Sequence, residues 1–196
     1  MKRMIYILST LLILFIASQI WAKSLSSKIE MPPFEVLKTF NGFEIRKYEP
    51  ATFSYVTLDV ASYKEGSSLG FRKLAGYIFG GNDKGQKIAM TSPVEIEMDT
   101  QMVMKFLVPA EYKLEDLPVP NNKEVQFVEE PERTVASITF GGFASDTKIA
   151  LFKEKLVQLL AEQNIKHKNE FSFLGYNSPF DLINRRNEMI VAVDFE

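Results

Sequence analysis

The chain has 196 residues with a formal net charge of −2; 46% are hydrophobic, 24% are charged and none is cysteine. This length and composition are typical of one globular domain, and the lack of cysteine excludes disulfide bonds and thiolate chemistry. A weakly acidic chain without a basic stripe also argues against a nucleic-acid-binding protein.

The first 22 residues have the pattern of an export signal. Lys2 and Arg3 precede an almost unbroken apolar run, and small residues follow up to Ala22. This order predicts a secretory signal peptide over residues 1–22, cleaved after Ala22. The 17 residues from Met4 to Ile20 would also suffice for an uncleaved membrane anchor, so both interpretations stay open. In either case we expect a periplasmic or secreted protein that contacts a membrane only through an uncleaved N-terminal segment.

Residues 23–33 are rich in Ser, Lys and Pro and predict a flexible tether, so the folded domain is expected over residues 34–196. Within it, short β-rich runs alternate with two amphipathic segments, and Asn41-Gly42 is a strong hairpin signal between the first two strands. The predicted strands cover residues 34–37, 43–48, 52–60, 86–98, 102–108, 125–128, 133–140, 171–176 and 188–195. The predicted helices cover residues 62–79 and 145–163.

Each predicted helix has one apolar face that must be buried against another layer of structure. The first face consists of Phe71, Leu74, Ala75, Ile78 and Phe79, and the second of Ile149, Phe152, Leu156, Leu159 and Leu160. Gly80 to Gly85 tolerate positive φ and should end the first helix and turn the chain back. Ile88, Ala89 and Met90 then predict a short buried strand. Residues 109–122, with three prolines, predict a long loop of a kind that is often functional or mobile.

A weak internal repeat links the two halves of the chain. In the first half, Glu49-Pro50 is followed by a β run, a helix and a strand ending at Thr91-Ser92-Pro93. In the second half, Glu130-Pro131 is followed by a β run, a helix and a strand ending at Asn177-Ser178-Pro179. Two such β-α-β-β units predict an α+β fold, a distorted antiparallel β-barrel with pseudo-twofold symmetry and two outer helices. A cleft between helix and sheet is expected in each half.

Few residues have the spacing of catalytic or metal-binding chemistry. The chain has one histidine, so a zinc or iron cluster is close to excluded, and His167, in a Lys- and Asn-rich loop, is expected to be an exposed surface residue. Phosphate-binding and nucleophile motifs are missing from the sequence. Near the C-terminus, Arg185 or Arg186 could pair with Glu188. Four methionines, Met90, Met98, Met102 and Met104, either line a soft apolar pocket or form a Met-rich core.

Several motifs resemble those of the SOUL haem-binding protein family. The likeness covers roughly residues 34–195 and is strongest at Phe79-Gly80-Gly81-Asn82 leading into Lys87-Ile88-Ala89-Met90-Thr91-Ser92-Pro93-Val94. Shorter matching pieces are Met104-Lys105-Phe106 with Pro109, Phe140-Gly141-Gly142-Phe143, Tyr176-Asn177-Ser178-Pro179-Phe180 and Arg185-Arg186-Asn187-Glu188. The resemblance implies a distorted barrel of two β-α-β-β repeats, similar to bacterial effector-binding domains. It also implies reversible binding of haem or another tetrapyrrole in a hydrophobic cleft beside the first helix.

The residues expected to hold such a ligand lie on or near the first helix. The apolar wall would be Phe71, Leu74, Ala75 and Ile78, the propionates would reach Arg72, Lys73 or Lys87, and Met90 or Tyr77 is a conceivable axial ligand. Some family members are proposed to ligate iron through a histidine near the N-terminal strands, and this chain has none there. We therefore expect non-covalent binding of modest affinity by a monomeric carrier or buffer that is not an enzyme.

Two alternatives stay open. An enzyme could modify a hydrophobic substrate in the same cleft, with Glu95 or Glu97 as the base. The chain could also be an envelope interaction domain without a small ligand.

Overall fold

The computed structural model describes residue 6, residues 29–178 and residues 180–195. Apart from Tyr6, the predicted signal or anchor and residues 23–28 of the predicted tether lie outside these ranges. Among the described residues, no helix is both long enough and apolar enough to cross a bilayer.

The described residues form one curled antiparallel sheet with two α-helices. The strands are β1 (Phe34–Thr39), β2 (Glu44–Tyr48), β3 (Ala51–Leu58), β4 (Val94–Met98), β5 (Met102–Leu107), β6 (Gln126–Glu130), β7 (Arg133–Gly141), β8 (His167–Gly175) and β9 (Arg186–Val193). The helices are α1 (Tyr63–Ile78) and α2 (Asp146–Glu162), with a short 3-10 turn at Leu114–Asp116. The sheet order is β1-β2-β7-β9-β8-β4-β5-β3-β6.

This strand order confirms the predicted α+β half-barrel. On one side of the central β4–β8 pair the order continues β5-β3, and on the other side it continues β9-β7. Matching β3, α1, β4 and β5 with β7, α2, β8 and β9 therefore gives the same order in both directions. The hairpin at Asn41-Gly42 is also present, since Gly42 has a φ of 98° and β1 pairs with β2.

The predicted match between Thr91-Ser92-Pro93 and Asn177-Ser178-Pro179 is wrong. Thr91-Ser92-Pro93 comes before β4, whereas Asn177 and Ser178 come after β8. Because β4 and β8 are antiparallel, with Val94 opposite Gly175, the two motifs meet at one end of the sheet. There the Ser92 hydroxyl donates to the Tyr176 carbonyl at 3.2 Å.

The predicted strand over residues 86–98 is also wrong in its first half, because β4 begins only at Val94. The backbone N–H and C=O of Gln86 bond to the Asn82 side chain instead of to a strand. The Ser92 N–H donates to the Glu30 carbonyl at 2.9 Å. Ala89 is consequently exposed and Met90 half-buried, while Ile88 is buried.

Both helices pack on one face of the sheet, α1 on β3 and β5 and α2 on β7, β8 and β9. Their contact with the sheet forms the main core, in which Met102 and Met104 are almost fully buried. A Cβ on Gly66 of α1 would lie only 2.8 Å from Val60 and would also overlap Met102. Glycine at this position therefore lets α1 approach β5 closely.

The first helix starts and ends as its sequence predicts. The Ser62 hydroxyl caps it by accepting from the Glu65 N–H. At the other end, Gly80 has a φ of 109°, and the N–H groups of Gly80 and Gly81 donate to Tyr77 and Gly76, which is a Schellman motif. Phe79 lies beyond the last helical turn and is 60% exposed, so its predicted place in the buried apolar face is wrong.

Candidate functional site

The apolar wall predicted on α1 is mostly part of the core. Leu74, Ala75 and Ile78 are 0%, 8% and 5% exposed, and Leu74 and Ile78 belong to the core cluster between the helix and the sheet. Side chains from β3 and β5 therefore fill the space between α1 and the sheet, and these three residues are not accessible to a ligand in this structure.

The other predicted residues lie at the outer margin of α1. Phe71 is half-buried, with its ring centre 5.3 Å from that of Phe106 on β5. Met90 is also half-buried against the core. Arg72 and Lys87 are exposed, and within the part of the chain that the structure describes neither forms an ion pair. Accessible apolar surface and two unpaired cations thus lie close to the same helix.

Lys73 is engaged with the long loop that follows β5. Its ammonium lies 2.7 Å from the Glu124 carboxylate. The same loop covers the C-terminal half of α1, where the Tyr77 hydroxyl donates to the Pro118 carbonyl at 3.0 Å. Leu117 and Val125 of this loop are buried. The loop is therefore fixed on the helix by an ion pair, a hydrogen bond and apolar contacts.

Neither Tyr77 nor His167 is placed as an iron ligand beside α1. Tyr77 is 2% exposed, and burial, followed by the charge of Asp83, raises its pKa to about 12, which disfavours the phenolate that iron would need. His167 begins β8, and its ring centre lies 5.5 Å from that of Phe171. It is half-buried, so the expected exposed position is wrong. Among the described residues, no cluster of His, Asp and Glu is arranged to hold a metal ion.

The inside of the curl, which carries no helix, contains two networks of buried charges. We call this surface the helix-free face. Because side chains alternate along a strand, residues opposite one another on neighbouring strands share a face. One such row runs across β9, β8, β4 and β5 and consists of Glu188, Leu174, Glu95 and Lys105. Charged residues two apart on a predicted strand, such as Glu44 and Arg46, are the sequence signal for this charged face. The sequence analysis did not identify that signal.

Glu188 is the centre of the first network. It is fully buried, and its carboxylate lies 2.8 Å from the Arg46 guanidinium and 2.6 Å from that of Arg186. Tyr176 and Thr139 donate to it as well. Burial by itself would raise the pKa of Glu188, but the hydrogen bonds and charges of Arg46 and Arg186 outweigh it and hold the pKa below its ordinary value. The predicted pairing of Arg186 with Glu188 is confirmed.

Glu95 is the centre of the second network. It is 3% exposed and accepts two hydrogen bonds from Arg133, at 2.7 and 3.0 Å. Burial would raise the pKa of Glu95, but Arg133 and then Lys105 lower it. Arg133 is on β7 and reaches β4 across two intervening strands, so the pair helps hold the sheet in its curl. Lys105 bonds to both Glu97 and Glu130.

These contacts disfavour the proposed catalytic bases. A carboxylate whose pKa is lowered by a bidentate arginine is a weak base, and Glu95 has no exposed oxygen with which to reach a substrate. Glu95 and Glu97 also face away from α1, since Ile96 between them belongs to the helix side. The idea that either residue works in a cleft beside α1 is therefore wrong.

Two surface depressions lie elsewhere on the sheet. The first is a cleft of about 290 Å³ whose lining includes Glu97, Lys105, Arg133 and Ser172. The second is a groove of about 660 Å³ at the Glu49-Pro50 and Glu130-Pro131 turns. Neither is lined by any of the residues predicted to hold a ligand.

Comparison with known proteins identifies relatives across most of the chain. The family model described as SOUL heme-binding protein matches residues 29–192. Heme-binding protein 2 of Mus musculus is 29% identical over 174 residues, covering 82% of this chain and 84% of the relative. Heme-binding protein 1 of Xenopus laevis is 32% identical over 155 residues, covering 75% of this chain and 81% of the relative.

Solved structures share the fold at low sequence identity. The crystal structure of the EcmrR C-terminal domain has a TM-score of 0.60 and 11% identity, covering 79% of this chain and 98% of that one. The crystal structure of a hydrolase from Listeria innocua has a TM-score of 0.56 and 10% identity, covering 78% and 91%. At these identities the likeness concerns the fold alone.

Proposed function

Because this chain belongs to the SOUL haem-binding protein family, we propose that it binds haem or a related tetrapyrrole reversibly and acts as a carrier or buffer. The names of the relatives from Mus musculus and Xenopus laevis, both heme-binding proteins, support this ligand class. The export pattern of residues 1–22 supports a periplasmic or secreted place of action.

The outer margin of α1 is the site that fits the ligand best. A tetrapyrrole is flat and apolar with two carboxylates at one edge, and the half-buried Phe71 is followed directly in the helix by the exposed Arg72. Lys87 and Met90 follow on the segment after α1, which bonds back to the helix through the Ile88 N–H and the Ile78 carbonyl at 2.8 Å. Phe71, with the exposed cations Arg72 and Lys87, carries the proposal.

Leu74, Ala75 and Ile78 would act from behind this surface. They fix the position of α1 on the sheet, and through it the direction of Phe71, without touching the ligand. Contact through packing and exposed ion pairs, without an iron bond from this margin, favours modest affinity. Modest affinity suits a protein that must release its cargo.

Titration with hemin tests the proposal. We expect a saturable Soret shift with half-saturation below about 10 μM, and its loss in Phe71→Asp. Replacing both Arg72 and Lys87 by Glu should weaken binding about fivefold, because each exposed ion pair contributes little. The control is Lys155→Glu on α2, which removes an exposed lysine from the other helix and should leave binding unchanged.

Two results would contradict this site. Absence of any saturable shift would remove haem binding and favour an interaction domain without a small ligand. A weakening by Lys155→Glu as large as that by Arg72→Glu or Lys87→Glu alone would show that hemin adsorbs through net charge and not at the margin of α1, because each of these single changes alters the net charge equally.

A further inference from the structure

Among the described residues of the loop between β8 and β9, a carboxylate is buried while three large apolar side chains are exposed. Asp181 is 8% exposed and accepts a hydrogen bond from the Ser178 N–H at 3.2 Å. In contrast, Phe180, Leu182 and Ile183 are 81%, 51% and 62% exposed. A loop that only meets water is expected to show the opposite arrangement. This loop is therefore built to present apolar side chains outward.

Arg185 holds this arrangement and joins it to a second turn. Its guanidinium donates to the carbonyls of Asp181 at 2.6 Å and Ser178 at 2.9 Å. It also lies 4.6 Å from the ring centre of Phe143, which is 56% exposed on the turn between β7 and α2. We call the four exposed side chains on these two turns, Phe143, Phe180, Leu182 and Ile183, the apolar tip.

The charges around the apolar tip favour an anionic partner. Within the part of the chain that the structure describes, Arg185 forms no ion pair with a carboxylate. Arg186 follows it directly and pairs with Glu188, but its side chain is still 42% exposed. The acidic residue of the β8–β9 loop, Asp181, is buried, and Asp146, the first residue of α2, accepts the backbone N–H of Tyr63 at 2.6 Å. Both carboxylates are thus engaged, whereas basic groups border the apolar surface.

The chain enters the domain close to the same loop. The Glu30 carbonyl accepts from the Ser92 N–H at 2.9 Å, and the Ser92 hydroxyl donates to the carbonyl of Tyr176, which is the first residue of the loop. The apolar run that ends at Ile20 is nine residues before Ile29, a distance that an extended chain spans in at most about 30 Å. A leader that directs the chain to a membrane would therefore keep this end of the domain beside it.

We propose that the apolar tip inserts into the interface of a bilayer that contains anionic lipids. Large apolar side chains with neighbouring arginines are the combination that binds such an interface, where acyl chains meet charged headgroups. This contact is separate from ligand binding at α1 and does not require that the N-terminal segment stay uncleaved. It would set the β8–β9 end of the sheet against the membrane.

A fluorescent label at the apolar tip tests the proposal in the full chain. Because the chain has no cysteine, Ile183→Cys gives a single attachment point for nitrobenzoxadiazole, a fluorophore that brightens and shifts to the blue in lipid. The matched control is Leu151→Cys on α2, a residue that is 57% exposed. Vesicles consist of equal parts phosphatidylglycerol and phosphatidylcholine, with phosphatidylcholine alone as the comparison.

With anionic vesicles, the label at position 183 should shift to the blue and gain about twofold or more in intensity, while the label at position 151 stays as in water. This pattern is independent of whether the N-terminal segment holds the chain on the vesicle, since it reports which surface enters lipid. An unchanged spectrum at position 183, or equal shifts at both positions, would overturn the proposal. A shift at position 183 without lipid that grows with protein concentration would also overturn it, because the tip would then bind another copy of the chain.

Discussion

Replacing Glu188 by Gln tests whether the ionic network of the helix-free face stabilises the fold. One carboxylate oxygen of Glu188 accepts from Arg46 and Tyr176, and the other accepts from Thr139 and Arg186. Glutamine has nearly the same shape, but it offers one acceptor oxygen, and its amide N–H groups would face donors. Whichever way the amide lies, one of the two arginines therefore loses its acceptor, since the Tyr176 and Thr139 hydroxyls can turn to accept but a guanidinium cannot.

The expected loss of stability follows from these contacts. A buried donor without an acceptor costs about 1–3 kcal/mol, and removing one partner of a buried ion pair costs about 3–5 kcal/mol. Because Arg46 keeps Glu44 at 2.8 Å, we expect the lower end, about 3 kcal/mol. For a domain of this size that corresponds to a melting temperature about 6–12 °C lower.

The loss should depend on pH. Since the pKa of Glu188 is lowered in the folded state, its contribution is fully present above the pKa of the unfolded chain, about 4.3. It disappears as the pH falls through the folded pKa. The wild type and Glu188→Gln should therefore differ most near neutral pH and converge in acid.

Urea unfolding followed by circular dichroism, at neutral pH and at a pH well below the ordinary carboxylate pKa of about 4.3, measures both effects. The control is Glu132→Gln, which disrupts the exposed pair with Lys47 and should leave the unfolding midpoint unchanged. A loss below about 1 kcal/mol for Glu188→Gln would refute the assigned role of the network. So would an equal loss at both pH values.

Two further predictions concern the end of α1 and the turn after it. Gly81→Ala should destabilise the fold by about 2 kcal/mol, because its Cβ would lie 2.5 Å from the Gly76 carbonyl oxygen. Gly76→Ala, with open space at its Cβ, should stabilise it by about 0.5–1 kcal/mol; thermal unfolding that ranks the pair the other way would contradict this. Asn82→Ala should cost about 2 kcal/mol in urea unfolding, because its buried side chain bonds to Tyr77 and to both backbone groups of Gln86. Asn121→Ala loses one bond of 3.4 Å and serves as the control, so equal costs would count against the assignment.

Local sequence signals predicted the elements well where short-range physics controls them. The glycines after α1 and the Asn41-Gly42 hairpin depend on a few neighbouring residues, and both are present. The strand over residues 86–93 was predicted wrongly because its apolar residues match a β pattern. The Asn82 side chain binds the backbone there, which no periodicity reveals.

The candidate site was predicted less completely, because exposure depends on what packs on α1. The stripe of Leu74, Ala75 and Ile78 was recognised as apolar, but the spacing of its residues is the same whether a sheet or a ligand covers them. In the structure that face is buried toward the sheet, and Phe71 lies half-buried at its margin. Ligand contact at Phe71, Arg72, Lys87 and Met90 stays a prediction.

The sequence by itself determined the α+β class, two amphipathic helices and the family, because these follow from patterns within short windows and from motifs in a fixed order. Only the tertiary structure decided that Ser92 meets Tyr176 at one end of the sheet, that Glu188 is buried between two arginines, and that Glu95 is buried against Arg133. Arg46 and Glu188 are far apart in the sequence and come together only through strand pairing. A charge on a strand is exposed or buried according to which strands lie beside it, and that is a property of the assembled sheet.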